Sequence, residues 1–447
     1  MANNERSVDA QTAVQATAAA GELVSSDGTL DYDALKALVI SLGADDVGLV
    51  DIDRPSMAKE RHALAEVFPS AKSFISIVVR MNREPIRTPA RSIANLEFHH
   101  QGDEVNAISR ELVSKLERLG IRALNPSMGF PMEMQRFPGR IWVISHKVVA
   151  EAAGLGKMGL HRNVIHPKFG NFILLGTVAV DARINHYDKP IDFNPCIDCK
   201  LCVSACPVGA IAPTGEFDFS ACYTHNYREF MGGFTDWVGS IADSSSRKEY
   251  EAKVTASESA SMWQSLSFGP NYKAAYCMAV CPGGEDVIGQ FLSSRKDFLD
   301  DVVKPLQKKE ELVYVVPDTD AEEYVKKRFP HKQVRYVRNS LKPQTIEGFI
   351  IGMRRVFQRK KASDVDINLH FTFTGKESAI VGVRISKGAL EVTRSHDGKA
   401  DLQVTADSSF WIDFLNQRRS IFTGLFTGKL RLVGSPVHLL RFKKCFL

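Results

Sequence analysis

Cys196-Ile197-Asp198-Cys199-Lys200-Leu201-Cys202-Val203-Ser204-Ala205-Cys206-Pro207 is the stretch on which the reading of this chain turns. Its spacing, C-x2-C-x2-C-x3-C-P, lets three thiolates from one tight loop take one face of an iron-sulfur cubane, while the fourth is carried past the turn at proline to a second cluster. Cys222, Cys277 and Cys281-Pro282 supply the remaining thiolates. By ferredoxin logic Cys196, Cys199, Cys202 and Cys281 hold one 4Fe-4S cluster, and Cys206, Cys222 and Cys277 hold the other. The second set is one thiol short, because Ala274 stands where a ferredoxin pattern places a cysteine. That leaves a 3Fe-4S species, a non-cysteine ligand such as His225, or a labile cluster. Zinc, the alternative metal, prefers paired C-x2-C units separated by a longer loop.

Working outward, seven of the eight cysteines fall between 196 and 281, which is the pattern of metal binding in a reducing compartment and not of a secreted disulfide scaffold. Cys445 stands apart. The 447 residues exceed what one core serves, and 44% hydrophobic with 24% charged residues are ordinary globular values. The net charge of +5 is spread along the chain, so no nucleic-acid partner is assigned. The N-terminal residues show no apolar signal core, and apolar runs such as 172–180 fall far short of the roughly 20 residues that span a bilayer. A cytoplasmic protein without an integral membrane segment is expected.

The chain divides into zones. Residues 1–29 read as a flexible tail. Residues 30–190 alternate helix and strand signals: a helix leading to Gly43, strands at 47–50 and 74–79, and a helix over 107–119 that ends at Gly120. Residues 191–300 form the cysteine-rich, ferredoxin-like zone, with the polar stretch 243–260 read as a surface insertion or lid. A small βαβ-like connector fills 301–339, and 340–447 has a character of its own. The fold class expected is α+β multidomain.

The second informative stretch runs from His146-Lys147-Val148-Val149-Ala150-Glu151-Ala152-Ala153-Gly154-Leu155-Gly156-Lys157-Met158-Gly159 to Pro167-Lys168-Phe169-Gly170. Physically it is a helix closed by a glycine-rich turn in which Gly154 and Gly156 permit close backbone approach, if only of a neighbouring strand. Taken in order with Asp188-Lys189-Pro190 and the cysteine run, A-G-L-G-x-x-G resembles the cobalamin-dependent iron-sulfur reductases, the group of the reductive dehalogenases and epoxyqueuosine reductase. The resemblance covers about residues 30–300. It implies an α/β cobalamin-type catalytic domain followed by a two-cluster ferredoxin-like domain, with Gly154, Leu155, Gly156 and Gly159 against the corrin and electrons passed singly to cobalt. It also implies an external donor such as ferredoxin or flavodoxin. Two departures stand out: between Tyr32 and Tyr187 there is no tyrosine to serve as the dehalogenase acid, and the aspartate of epoxyqueuosine reductase is replaced by Arg140. His99, His100, Glu133, Arg140 and His146 are the candidate substitutes for proton donation or for fixing an anionic substrate.

In the last zone a helix over 345–357 precedes strands at 367–374, 379–385, 389–393 and 402–406 and an amphipathic helix over 408–416. Ala406-Asp407 and Thr427-Gly428-Lys429-Leu430-Arg431-Leu432-Val433-Gly434 resemble the sterol-carrier-protein-2 domain over about a hundred residues. That resemblance implies an α/β domain binding a lipid or other apolar molecule, with Trp411, Phe414, Leu415, Phe422, Leu425 and Phe426 as candidate tunnel residues or, equally, core aromatics. Two readings follow. One is a cobalamin and iron-sulfur reductase acting on a small apolar organic substrate. The other is an iron-sulfur electron-transfer protein fused to a lipid-binding module, without corrin.

Overall fold

The computed structural model describes residues 23–447 apart from 138, 197 and 231. The expected tail falls outside the described residues over 1–22. Residues 23–29 of that stretch are described: Leu23 is buried beside Leu30, and Leu30 bridges to both Val24 and Ile184. These two apolar side chains close the first core.

The Tyr32–Ser41 helix is capped by Asp31, whose carboxylate accepts from the Ala34 N–H at 2.9 Å. Strands β1 (Asp46–Asp51), β2 (Ser73–Arg80), β3 (Ala123–Leu124) and β6 (Ile173–Val180) form a sheet in the order β1-β2-β6-β3, antiparallel throughout. A two-stranded ribbon, β4 (Lys157–Met158) with β5 (Val164–Ile165), lies between β3 and β6 in sequence. All but the last residue of β2 is buried, because both faces of the sheet are covered. Ile75, Ile77 and Val79 pack with Val105, Ile108 and Leu112 of one helix, while Phe74 and Val78 pack with Val149 and Ala150 of another.

The helix expected at 107–119 begins much earlier and spans Arg91–Arg118. Its first half buries Arg91, Asn95 and Glu97 besides Ala94 and Phe98, so its inward face lacks the apolar periodicity that marks a helix in sequence. The expected insertion at 243–260 is likewise helical, across Gly232–Ala242, Arg247–Lys253 and Ala256–Phe268. Ser246 and a Thr255–Glu258 capping box start the second and third helices, and such polar cap residues are what made the stretch read as a loop.

The zones do not each keep a private core. Met81, Ile86, Phe98 and Phe172 share one hydrophobic cluster with Leu201, Tyr276, Val280 and Phe298, so the cysteine-rich zone is built onto the sheet. The connector, parallel strands β7 (Leu312–Val315) and β8 (Gln333–Tyr336) around the Asp320–Arg328 helix, packs Val313, Val315 and Val325 against Cys202, Cys206 and Ala221.

The C-terminal sheet comprises β9 (Asp366–Thr374), β10 (Ala379–Ser386), β11 (Ala389–Thr393), β12 (Leu402–Asp407) and β13 (Leu430–Gly434), in the order β11-β10-β9-β12-β13 with β12 parallel to β9. The six residues proposed for a tunnel do not share one. Trp411 is 1% exposed and wedged among Phe349, Phe371, Phe373 and Phe414, whereas Phe422 and Phe426 are 76% and 94% exposed. The Ile421–Phe426 helix turns Gly424 inward against the Phe410 ring and packs Ile421 on the core, leaving Phe422, Leu425 and Phe426 outside. Gln358 ties this domain to the rest: its Oε1 accepts from Asp320 N at 2.9 Å, and its Nε2 donates to Ser220 Oγ at 3.4 Å.

Candidate iron-sulfur centre

Three short helices carry Cys202, Cys222 and Cys277, the second of them over Phe219–His225, and the other four thiols lie in the loops around them. Lys200, left-handed at φ 53°, opens the Leu201–Ala205 helix, and Ala275, left-handed at φ 52°, opens the Tyr276–Ala279 helix. Each left-handed residue stands two before a cysteine, and a second cysteine followed by a proline comes after each helix, so the two segments repeat one local arrangement.

The electrostatic neighbourhood of the thiols follows that geometry. Burial comes first for Cys281, whose thiol is pushed up to about 12 with Cys199, Cys196 and Cys277 adding to it. Cys202 is raised further, by burial and then by Cys277, Cys281, Cys199 and Cys196. In the other set burial raises Cys277 to about 12 with help from Cys206, and raises Cys222 well above its ordinary value with help from Cys206 and Cys277. Backbone N–H groups reach both sets: Leu160 N donates to Cys196 Sγ at 3.4 Å, and Ala210 N to Cys206 Sγ at 3.3 Å. Crowded, buried thiols of this kind are unfavourable as thiolates unless cations lie among them, and iron provides those cations. The donor set therefore fits clusters, in which each thiolate binds a different iron; among the described residues no three His, Cys, Asp or Glu side chains are grouped about a single ion.

At the position of the missing thiol, Ala274 N and Ala275 N both donate to Asn226 Oδ1, at 3.1 and 2.7 Å. His225, the sequence's candidate ligand, accepts from Tyr314 N through Nδ1 at 3.3 Å, and the charges acting on it are Glu311, Lys273, Lys332 and Lys309. Its Nε2 is buried without a partner.

The glycine-rich turn fills its own open faces. Gly154, at φ 73°, presses on the Lys189 carbonyl and Gly156, at φ 152°, on the Ile165 carbonyl, so a side chain at either would meet backbone. Leu155 is in the core. Gly159 alone faces the cysteines: a Cβ there would lie 3.5 Å from Cys196 Sγ and 3.4 Å from His161 Cε1.

The five candidate acids and anchors are dispersed. His99 is half-buried with Nε2 at 2.9 Å from the Pro270 carbonyl, and His100 is exposed. Glu133 is exposed. Arg140 is bonded to buried Glu60, whose carboxylate also accepts from Ser145 N at 2.8 Å, so the arginine serves as a strut. Both ring nitrogens of His146 are engaged, Nδ1 with Thr177 Oγ1 at 2.9 Å and Nε2 with the Ser127 carbonyl at 3.0 Å. Burial lowers its pKa.

Residues that the sequence did not single out stand nearer the thiols. Lys147, Tyr227 and Tyr272 all feel Cys222 electrostatically. A lysine in a helical stretch and aromatics beyond the cysteine run carry no local signal of such a role. Among the described residues neither Tyr227 nor Tyr272 has a hydrogen-bond partner for its hydroxyl, while Asn95 clamps the Tyr272 backbone with bonds of 2.8 and 3.0 Å. Phe230 packs against both tyrosines and stacks on the partly exposed Phe130, giving a continuous aromatic wall from the surface to the second thiol set.

Comparison with known proteins agrees with this layout. Residues 189–212 match the family model of the 4Fe-4S binding domain, and residues 358–446 that of the SCP-2 sterol transfer family. Epoxyqueuosine reductase of Cellulophaga algicola is 32% identical over 180 residues, covering 38% of this chain and 54% of its own. The chain spans about half the length, or less, of the curated relatives it matches. Among solved structures, an epoxyqueuosine reductase with an epoxyqueuosine-modified tRNA stem loop aligns at TM-score 0.31 and 19% identity, covering 43% of this chain and 56% of the other. A catabolic reductive dehalogenase with 3-bromo-4-hydroxybenzoic acid aligns at TM-score 0.37 and 15% identity, covering 61% and 37%. Among the described residues no helix is long and apolar enough to cross a membrane.

Proposed function

We propose that the chain is an iron-sulfur reductase in which Cys196, Cys199, Cys202 and Cys281 hold one cluster and Cys206, Cys222 and Cys277 the other. What supports the reading is the C-x2-C-x2-C-x3-C-P run, its match to the 4Fe-4S binding domain over residues 189–212, and the burial of Cys202, Cys206 and Cys281. Electrons enter singly from an external donor of ferredoxin or flavodoxin type, in a reducing, cytoplasmic setting. The substrate is a small apolar organic molecule, a choice supported by the aromatic wall that reaches the second thiol set.

Cobalamin belongs to the proposal on the strength of the A-G-L-G pattern, which resembles that of the cobalamin-dependent reductases. When bound it supplies a strongly reducing cobalt centre. The open faces of Gly154 and Gly156 do not offer themselves to a corrin, since the chain's own carbonyls occupy them, and no step is derived through it. What this chain's residues contribute is clear of that question: Asn95 fixes Tyr272, and Leu160 N and Ala210 N donate to Cys196 Sγ and Cys206 Sγ.

The relatives named epoxyqueuosine reductase favour a second reading, a modified tRNA as substrate. Arg140, held by Glu60 where those enzymes carry an acid, weighs against it. Iron, sulfide and cobalt are to be measured on anaerobically prepared protein, followed by turnover assays on a tRNA stem loop bearing epoxyqueuosine and on halogenated aromatics. Iron and sulfide in cluster amounts support the reductase, and their absence after reconstitution removes it; turnover of the stem loop alone transfers the activity to the second reading.

A further inference from the structure

Phe426 and Phe422, at 94% and 76%, are the two most exposed large apolar side chains among the described residues. With Leu425, also exposed, they stand at i, i+3 and i+4 along the Ile421–Phe426 helix and share its outward side, while Ile421 and Gly424 face the core. The core beneath does not need them, because the Phe410 ring already fills the space against Gly424. A contiguous apolar face of this kind marks a contact with something outside the fold. The charge around the helix identifies that contact. From Phe414 to Leu447 the chain has seven Lys and Arg residues and no Asp or Glu. All seven are exposed. Arg418 and Arg419 are paired with Asp413 at 3.7 and 3.1 Å and Lys444 with Asp364 at 2.9 Å, whereas Lys429, Arg431, Arg441 and Lys443 have no carboxylate partner among the described residues. Arg419 and Lys429 bracket the apolar helix, each within three residues of its end. By contrast, the exposed Trp263, Leu266 and Phe268 follow a segment of mixed sign, Arg247-Lys248-Glu249-Tyr250-Glu251.

Aromatic rings set among unpaired cations narrow the choice of occupant. A second copy of the chain seated on this face would press two basic surfaces together. A nucleic acid would engage the cations through its phosphates and leave the helix's apolar face in water. A bilayer with anionic headgroups answers both features at once, since the headgroups meet Lys and Arg while the acyl boundary takes Phe and Leu. We propose that the C-terminal domain docks on an anionic lipid surface through Phe422, Leu425 and Phe426, with Arg419 and Lys429 in the headgroup layer. The protein is held there by a few inserted side chains and not by a span; among the described residues no helix is long and apolar enough to cross a membrane. Docking needs neither iron-sulfur cluster, and it places a reductase of apolar molecules where such molecules dissolve.

The test is co-sedimentation of the full-length protein with vesicles of phosphatidylcholine alone and of phosphatidylcholine mixed with phosphatidylserine. Binding should be confined to the mixed vesicles and should weaken as salt is added. Replacing both rings, Phe422→Ser with Phe426→Ser, should weaken it by at least about tenfold, the loss of two buried aromatic side chains. Arg419→Gln with Lys429→Gln should weaken it less and flatten the salt dependence. Phe426→Trp supplies a direct reading: its emission should shift to the blue on the mixed vesicles and stay unshifted on phosphatidylcholine. Should the serine variant lose its circular dichroism, the tryptophan variant decides. Equal binding to both vesicle types, binding to neither, or an unshifted emission in vesicle-bound protein overturns the proposal. A dimer found by sedimentation of the protein alone, and lost in the folded serine variant, gives the face to a second copy and overturns it as well.

Discussion

The C-terminal domain and the cysteine-bearing part of the molecule keep different kinds of interior. In the former, Phe349, Phe371, Phe373 and Trp411 interlock at ring separations of 5.6–6.1 Å, and the partnerless buried polar atoms are Trp411 Nε1 and His438 Nδ1. In the latter, partnerless atoms among the described residues belong to Arg87, Arg91, His161 and His225 and also to Ser70, Ser76, Gln101, Asn171, Tyr223 and Asp300, and Lys147 has oxygen acceptors but no carboxylate partner. Burying a charge without a partner costs several kcal/mol, so a fold keeps such groups only where something else compensates them. The C-terminal interior is finished with its own atoms. The cysteine-bearing interior keeps unpartnered polar atoms and seven thiols, three of them buried, and the 4Fe-4S family match falls in the same part.

The largest effect should come from opening the finished interior. Phe371→Ala removes a ring packed against Phe349, Trp411 and Phe442, and should cost about 3–5 kcal/mol in chemical unfolding. Iron content of the protein that remains folded should be unchanged; a loss of iron would break the separation between the two interiors. Next comes Arg140→Ala, which leaves the Glu60 carboxylate buried and unpaired and should cost about 2–3 kcal/mol, read as a fall in Tm. A variant that keeps its Tm and loses turnover would return Arg140 to the list of catalytic groups.

A smaller effect is expected from pH. Burial pushes His225 down from 6.5 to about 4, so the unfolded chain binds the extra proton between those values. Stability contributed by the neutral ring is whole above 6.5 and is lost as the pH falls toward 4, at up to about 1.4 kcal/mol per pH unit for one such group. Urea unfolding of the metal-free protein at several pH values should show this slope, and His225→Phe should flatten it even though it also removes the acceptor for Tyr314 N. Smallest of all, Phe426→Ser changes a side chain that is 94% exposed and should shift stability by less than about 0.5 kcal/mol. A large loss there would mean that the exposed face is part of the finished interior after all.

Local signals carried much of this. The strands at 47–50 and 74–79, the connector and the C-terminal strands were legible because apolar runs and turn residues act over a few neighbours. The first half of the Arg91–Arg118 helix was not, because Arg91, Asn95 and Glu97 face inward and break the periodicity. The helices across 243–260 were hidden for the converse reason, polar caps reading as loop. At the centre, spacing alone proposed both thiol sets, and His225, a candidate ligand by proximity in sequence, has Nδ1 bonded to Tyr314 N and Nε2 without a partner among the described residues.

The sequence by itself determined that thiols at this spacing form a tight loop and a following helix, since chain length between ligands limits where each can reach. It determined too that the C-terminal stretch makes a separate sheet-and-helix core, since its apolar alternation is local. Only the tertiary structure decided that Lys147 is bonded to Arg162 and Asn163, that Arg91 lies over the Tyr276 ring, and that the glycine turn is filled by Lys189 and Ile165. It decided as well that Tyr227 and Tyr272 supply hydroxyls where the upstream chain has no tyrosine. Those contacts join residues far apart in the chain, and desolvation, which gives each of them its meaning, depends on everything packed around them.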